Sequence, residues 1–247
     1  MDVILIPGFW LDASSWDAVT PALVAAGHRV HPVTLPGAEA ANDRRAEVTL
    51  RDQVAAVVAL VDEVTAGDGG VVLVGHSGGA AVVHAAVDAR PAAVVRAVYV
   101  DAMPLADGEV VNADLPVVDG VIPLPAWDVF DDDDLVDLTP ELRDRFREVA
   151  VPVPAHVAND PQVLTDPRRY DVPVTVVACE FASADLQVML DPAHPWHSYV
   201  REIPPMRDVT WVDLPTGHWP QLTRPVDLGR VLLEIVDGVT HPATPGA

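Results

Sequence analysis

The 247 residues carry 37 acidic against 15 basic side chains, for a formal charge of −22, and half of them are hydrophobic. A surface of that sign repels phosphate backbones and anionic lipid, which argues against nucleic-acid and membrane partners. The length suits one domain with a sizeable core, no apolar run reaches the roughly 18 residues of a membrane span, and the single cysteine, Cys179, fits a reducing cytoplasm.

Taken in chain order, residues 3–6 form a first apolar run, with no basic stretch before it, and so read as a strand rather than a secretory leader. Trp16, Val19, Leu23 and Ala26 follow at helical spacing, and Gly27 stops that helix. A second strand is expected over 30–35. Thr49 then opens a helix, with Asp52 three residues on, and Val54, Val57, Val58, Val61 and Val64 give it one apolar stripe. Strands over 71–74 and 97–100 flank a helix that begins after Ser77. Two more are expected over 174–178 and 209–214, and a last helix runs from Pro225 to Val236. Strands alternating with helices predict a mainly parallel six-stranded sheet with helices on both faces.

The alternation breaks over residues 102–171, rich in proline, with four adjacent aspartates at 131–134 and one clear helix starting at Thr139-Pro140-Glu141. We expect one domain over 1–247, with this insertion as a lid above the carboxyl ends of the strands, where open α/β sheets bind ligands. The four aspartates show no ligand spacing, and a solvated turn explains them; no metal or organic cofactor is expected.

Gly75-His76-Ser77-Gly78-Gly79 matches G-x-S-x-G, a pattern that arises by chance in roughly one chain in twelve of this length. Its context makes it specific. A strand precedes it and a helix-compatible run follows, so the turn lifts the Ser77 hydroxyl above the sheet. The Gly78 amide then sits at a helix N-terminus, where donors and dipole favour a developing oxyanion.

With that elbow in place the chain resembles the α/β-hydrolase superfamily over nearly its whole length. More narrowly it is similar to small esterases of the plant methylesterase and hydroxynitrile lyase type and their bacterial relatives. The resemblance makes Ser77 the nucleophile and Ile6-Pro7-Gly8-Phe9-Trp10 the oxyanion loop, with the Phe9 amide as second donor. Pro7 departs from the His-Gly that relatives often carry, but leaves that amide intact. The general base is expected after the last strand, where Leu214-Pro215-Thr216-Gly217-His218-Trp219-Pro220 supplies His218. Trp10, His76 and Trp219 are expected to shape the substrate pocket. His194 and His197, flanking Trp196, are candidates for substrate contact, whereas His84 reads as packing.

The triad acid has two candidates. In most of the superfamily it follows the fifth strand of this set, three residues past a Gly. Cys179 holds that Gly-like place, so Ala182 falls where the acid should be; Glu180 comes early and Asp185 late. A recurrent alternative is the end of the strand after the nucleophile helix, where Tyr99-Val100-Asp101 supplies a carboxylate. Asp101 is anchored by its strand and is the first choice; Asp185 is the alternative.

The reaction these residues imply is hydrolysis of a small carboxylic ester or lactone through an acyl-enzyme. Haloalkane dehalogenases and epoxide hydrolases of the superfamily use an Asp nucleophile, against Ser77 here. Hydroxynitrile lyases use a pocket lysine, and this chain contains no lysine. Carbon–carbon bond hydrolysis on the same triad and non-catalytic ligand binding are the alternatives. Oligomeric state is not readable.

Overall fold

The computed structural model describes residues 1–67 and 69–240. Each expected apolar run forms a strand. The chain yields β1 (Asp2–Ile6), β2 (Arg29–Pro32), β3 (Val71–His76) and β4 (Val94–Val100), then two short strands in the insertion, β5 (Val121–Ile122) and β6 (Val153–Pro154), then β7 (Val174–Ala178) and β8 (Val209–Asp213). The main sheet has the order β2-β1-β3-β4-β7-β8, and every neighbouring pair is parallel. All six carboxyl ends therefore open on one rim. From β1 the chain moves to the β2 edge and returns to β3 on the other side, so the crevice opens at that reversal.

Period-two alternation divides the core between the two faces. Val3, Leu5, Val72, Val74, Val98 and Val100 point to one side, where Trp16, Leu23, Leu228, Leu232 and Val236 cover them. Ile4, Ile6, Leu73, Ala97 and Tyr99 point to the other, against Val57, Val61, Val83 and Ala86. The helices are α1 (Pro21–Ala25), α2 (Leu50–Val64), α3 (Gly79–Ala89), α4 (Pro140–Val149), α5 (Ala155–Asn159), α6 (Ser183–Val188), α7 (His197–Val200), α8 (Pro220–Thr223) and α9 (Pro225–Thr240).

Local chemistry accounts for their ends. Thr49 and Asp52 form the reciprocal capping box at the start of α2, worth about 1 kcal/mol. Thr139 caps α4, with Pro140 in the first turn. The helix expected from Ser15 to Ala26 is broken instead into a 3₁₀ turn, Ala13–Trp16, and the short α1. Pro21 causes the break, since its ring excludes the carbonyl four residues back and it has no N–H to give. Trp16, Val19 and Leu23 are buried all the same.

The insertion pairs β5 antiparallel with β6. Strands of two residues leave no periodic trace in a sequence, and neither was expected. Among the described residues no helix is long and apolar enough to cross a membrane.

Candidate active site

The sheet's carboxyl rim collects the groups that the sequence scatters. Ser77 follows β3 with a left-handed backbone, φ 50°, and its amide donates to the Val100 carbonyl, tying the elbow to β4 (3.2 Å). Gly79 lets α3 approach β1 closely: a Cβ there would lie 2.5 Å from the Pro7 carbonyl oxygen. Gly8 does the same for the loop after β1, where a Cβ would meet Ser77 Cβ at 2.8 Å. The loop expected to hold the oxyanion therefore lies directly against the elbow. Among the described residues neither the Phe9 amide nor the Gly78 amide has an acceptor in the protein.

His218 Nε2 lies 2.8 Å from Ser77 Oγ, and its Nδ1 lies 2.7 Å from Asp101 Oδ2. With Nδ1–H donating to the carboxylate, Nε2 is free to accept the serine proton. The other oxygen of Asp101 accepts the amides of Cys179 (3.0 Å) and Glu180 (2.9 Å), which fixes the carboxylate. Burial opposes charge on Asp101, but the hydrogen bond and charge of His218 and the Glu180 amide outweigh it and hold its pKa below the usual value. At His218 burial favours the neutral ring. The hydrogen bond and charge of Asp101, joined by the charges of Asp134 and Glu180, overcome this and raise its pKa.

Asp185, the alternative acid, is exposed in the first turn of α6, away from the imidazole. Glu180 comes nearer, with Oε2 3.9 Å from His218 Nδ1. Asp101, Glu180 and His218 place atoms within 4.8 Å of one another, but the Nδ1 that would face a cation gives its proton to Asp101.

A cleft of about 680 Å³ opens above Ser77, walled by Phe9, Trp10, Met103, Leu105, Leu115, Phe130 and Tyr199 among others. Two residues expected in that pocket are not on its wall. His76 is fully buried, because alternation in β3 turns it beneath the elbow, and its Nε2–H donates to the His218 carbonyl at 2.6 Å. Burial, then the neighbouring His218, lowers its pKa to about 3, so it stays neutral. Trp219 is buried behind the base, packed edge-on against His218, Phe130 and Phe146. His194 and His197 also lie off the wall, which Trp196, Ser198 and Tyr199 reach instead. His84 is buried on α3 and bonds to Tyr99 and Glu202.

The insertion supplies contacts that sequence reading missed. The Asp134 carbonyl accepts the His218 amide at 2.8 Å, and the Val136 carbonyl accepts that of Gly217 at 3.1 Å. At the other side Trp10 Nε1 donates to the Ile122 carbonyl at 3.1 Å, and the Val151 amide donates to the Trp10 carbonyl at 3.0 Å. Carbonyls carry no side-chain signature, so nothing in the sequence marks these four contacts.

A fully parallel sheet with a G-x-S-x-G elbow, a late histidine and a strand-end carboxylate on one rim defines a class, and the chain belongs to the alpha/beta hydrolase family, whose model matches residues 3–230. Solved structures of the same fold include an extracellular alpha/beta-hydrolase from a Paenibacillus species, described as sharing structural and functional homology with tobacco salicylic acid binding protein 2. It is 21% identical, with a TM-score of 0.74, over 95% of this chain and 98% of that one. A methylesterase from Arabidopsis is 18% identical, with a TM-score of 0.73, over 96% of this chain and 99% of its own. A pyrethroid hydrolase from Sphingobium faniae is 20% identical, with a TM-score of 0.66, over 98% of each. At these identities the likeness speaks for the fold alone. No curated protein sequence matches the chain.

Proposed function

We propose that the protein is a serine hydrolase that cleaves a small carboxylic ester or lactone through an acyl-enzyme. The observation that carries this reading is the unbroken relay from Ser77 Oγ through His218 to Asp101, at 2.8 and 2.7 Å. Ser77 attacks the carbonyl carbon while His218 Nε2 takes its proton, and the charge forming on the carbonyl oxygen falls to the Phe9 and Gly78 amides. The imidazolium then protonates the departing alkoxide. Water, deprotonated by the same nitrogen, attacks the acyl carbon and restores Ser77.

The cleft's lining, which includes the carboxyls of Asp101, Glu109, Asp114 and Asp134, disfavours an anionic substrate. Its walls are largely apolar and aromatic, and among the described residues no arginine lines it, so nothing there would pair with a carboxylate. Fold neighbours named as a methylesterase and a pyrethroid hydrolase agree with ester chemistry. Carbon–carbon bond hydrolysis would use the same relay, and a panel pairing neutral aryl esters and lactones with β-diketones separates the two by rate.

The deciding experiment is labelling with a fluorophosphonate probe alongside Ser77→Ala. The wild type should label at Ser77, and the variant should keep its fold while kcat falls by about 10⁶. A Ser77→Ala protein that retains esterase activity refutes the proposal.

A further inference from the structure

Asp101 is not alone at the imidazole. Glu180 stands two residues past β7 and brings Oε2 to 3.9 Å from the same Nδ1 that Asp101 Oδ2 holds at 2.7 Å. The two carboxyls are linked through the backbone, since the Glu180 amide donates to Asp101 Oδ1. Both side chains are largely buried, at 16% and 7% exposure, so neither is a solvated bystander.

We propose that Glu180 is a positioning residue for His218: a reserve carboxylate that adds to the field on Nδ1 and takes over the imidazole when Asp101 is removed. The proposal rests on the hydrolase reading above. Asp101 holds the ring in the intact protein because two backbone amides fix it. The Glu180 side chain is one methylene longer and has further to come. It is also held back by its surroundings: burial first, then the charges of Asp134 and Asp101, raise its pKa to about 7, so that near neutral pH it carries only part of a charge, and its carboxyl bonds that of Asp134. The groups facing it are thus Asp101 at the end of β4, Asp134 of the insertion, His218 after β8 and, at longer range, Tyr199 of α7.

Emptying the Asp101 site reverses each of these. A methyl group at 101 leaves room for the carboxylate to swing in, and loss of the Asp101 charge lets Glu180 ionise more readily. An amide at 101 keeps the space filled and offers no such relief. Asp101→Ala should therefore retain more activity than Asp101→Asn, the reverse of what isosteric replacement usually gives.

The test compares wild type, Glu180→Gln, Asp101→Ala and the double variant on one neutral aryl ester. Glu180→Gln alone should cost less than about threefold in kcat, whereas in the Asp101→Ala background it should cost at least about tenfold. The same small factor in both backgrounds overturns the proposal. A second readout uses no turnover: the His218 pKa, followed by NMR of the imidazole, should fall by roughly half a unit in Glu180→Gln, because a partly ionised carboxylate beside the ring is lost. An unmoved pKa also overturns it. Since the titration is read on folded protein without substrate, it decides the matter even if Asp101→Ala does not fold or the hydrolase reading fails.

Discussion

Trp10, Ser77 and Asp101 all hold a left-handed backbone, with φ of 62°, 50° and 46°. A side chain in that region costs on the order of 1–3 kcal/mol, met by the packing that surrounds it. At Asp101 the twist comes directly after the strand, with the amide still bonded to the Val177 carbonyl at 2.8 Å. The carboxylate thereby faces His218 across two strand ends. Neutralising it while keeping its shape leaves the imidazole without its counter-charge. Asp101→Asn should lower kcat by about 10³–10⁴; a loss below tenfold would remove Asp101 from the relay. The same electrostatics set the pH response. In the proposed mechanism His218 must be neutral to accept the Ser77 proton, and its pKa is raised from 6.5. The acid limb of kcat/KM should therefore lie above pH 6.5, with activity lost as pH falls through it. A limb below 6.5 would contradict the charge balance described.

Among the elements, those with a periodic or capping signal were legible. All six main strands, α2 with its capping box, the helix after the elbow, α4 and α9 follow from alternation, 3.6-residue spacing and a few caps. The helix at 15–26 was misread because apolar spacing was weighed above Pro21. Of the candidate site, the meeting of Ser77, His218 and Asp101 on one rim was legible because each follows a strand of the sheet, where chain order gives position. The pocket wall could not, since His76 and Trp219 are near the chemistry in sequence but face away from the cleft. The contact between the insertion and the base loop was equally hidden, and Gly217 is where it is most exacting. A Cβ there would lie 2.3 Å from the Asp134 carbonyl oxygen and 2.6 Å from that of Val136. Both are backbone atoms with little room to yield. Gly217→Ala should destabilise the protein by about 1–3 kcal/mol and lower kcat together. Unchanged thermal unfolding and turnover would show that this packing is dispensable.

The molecule as a whole is closed behind the site by a buried ionic cluster. Arg169 lies 3.3 Å from Asp88 and 3.4 Å from Glu202, while His84 bonds Glu202 at 3.1 Å and Tyr99 at 2.8 Å. Asp88 also accepts the amides of Thr165 and Asp166, so α3 is fastened to the end of the insertion. Removing the arginine leaves Asp88 and Glu202, both largely buried, without the positive charge they share. Arg169→Leu should cost about 3–5 kcal/mol in denaturant titrations, and a shift under 1 kcal/mol would mean the carboxylates find relief elsewhere.

Hydrogen bonds thereby hold the insertion to α3, to the loop after β1 and to the loop of His218. The last of these can be timed. Gly217 and His218 give their amide protons to carbonyls of the insertion, so deuterium enters those two positions only when the segments part. Their exchange rates, set beside those of amides within β3, count how often the base is released from its seat in an otherwise folded molecule. A substrate too bulky to pass without such parting would turn over no faster than those two protons exchange.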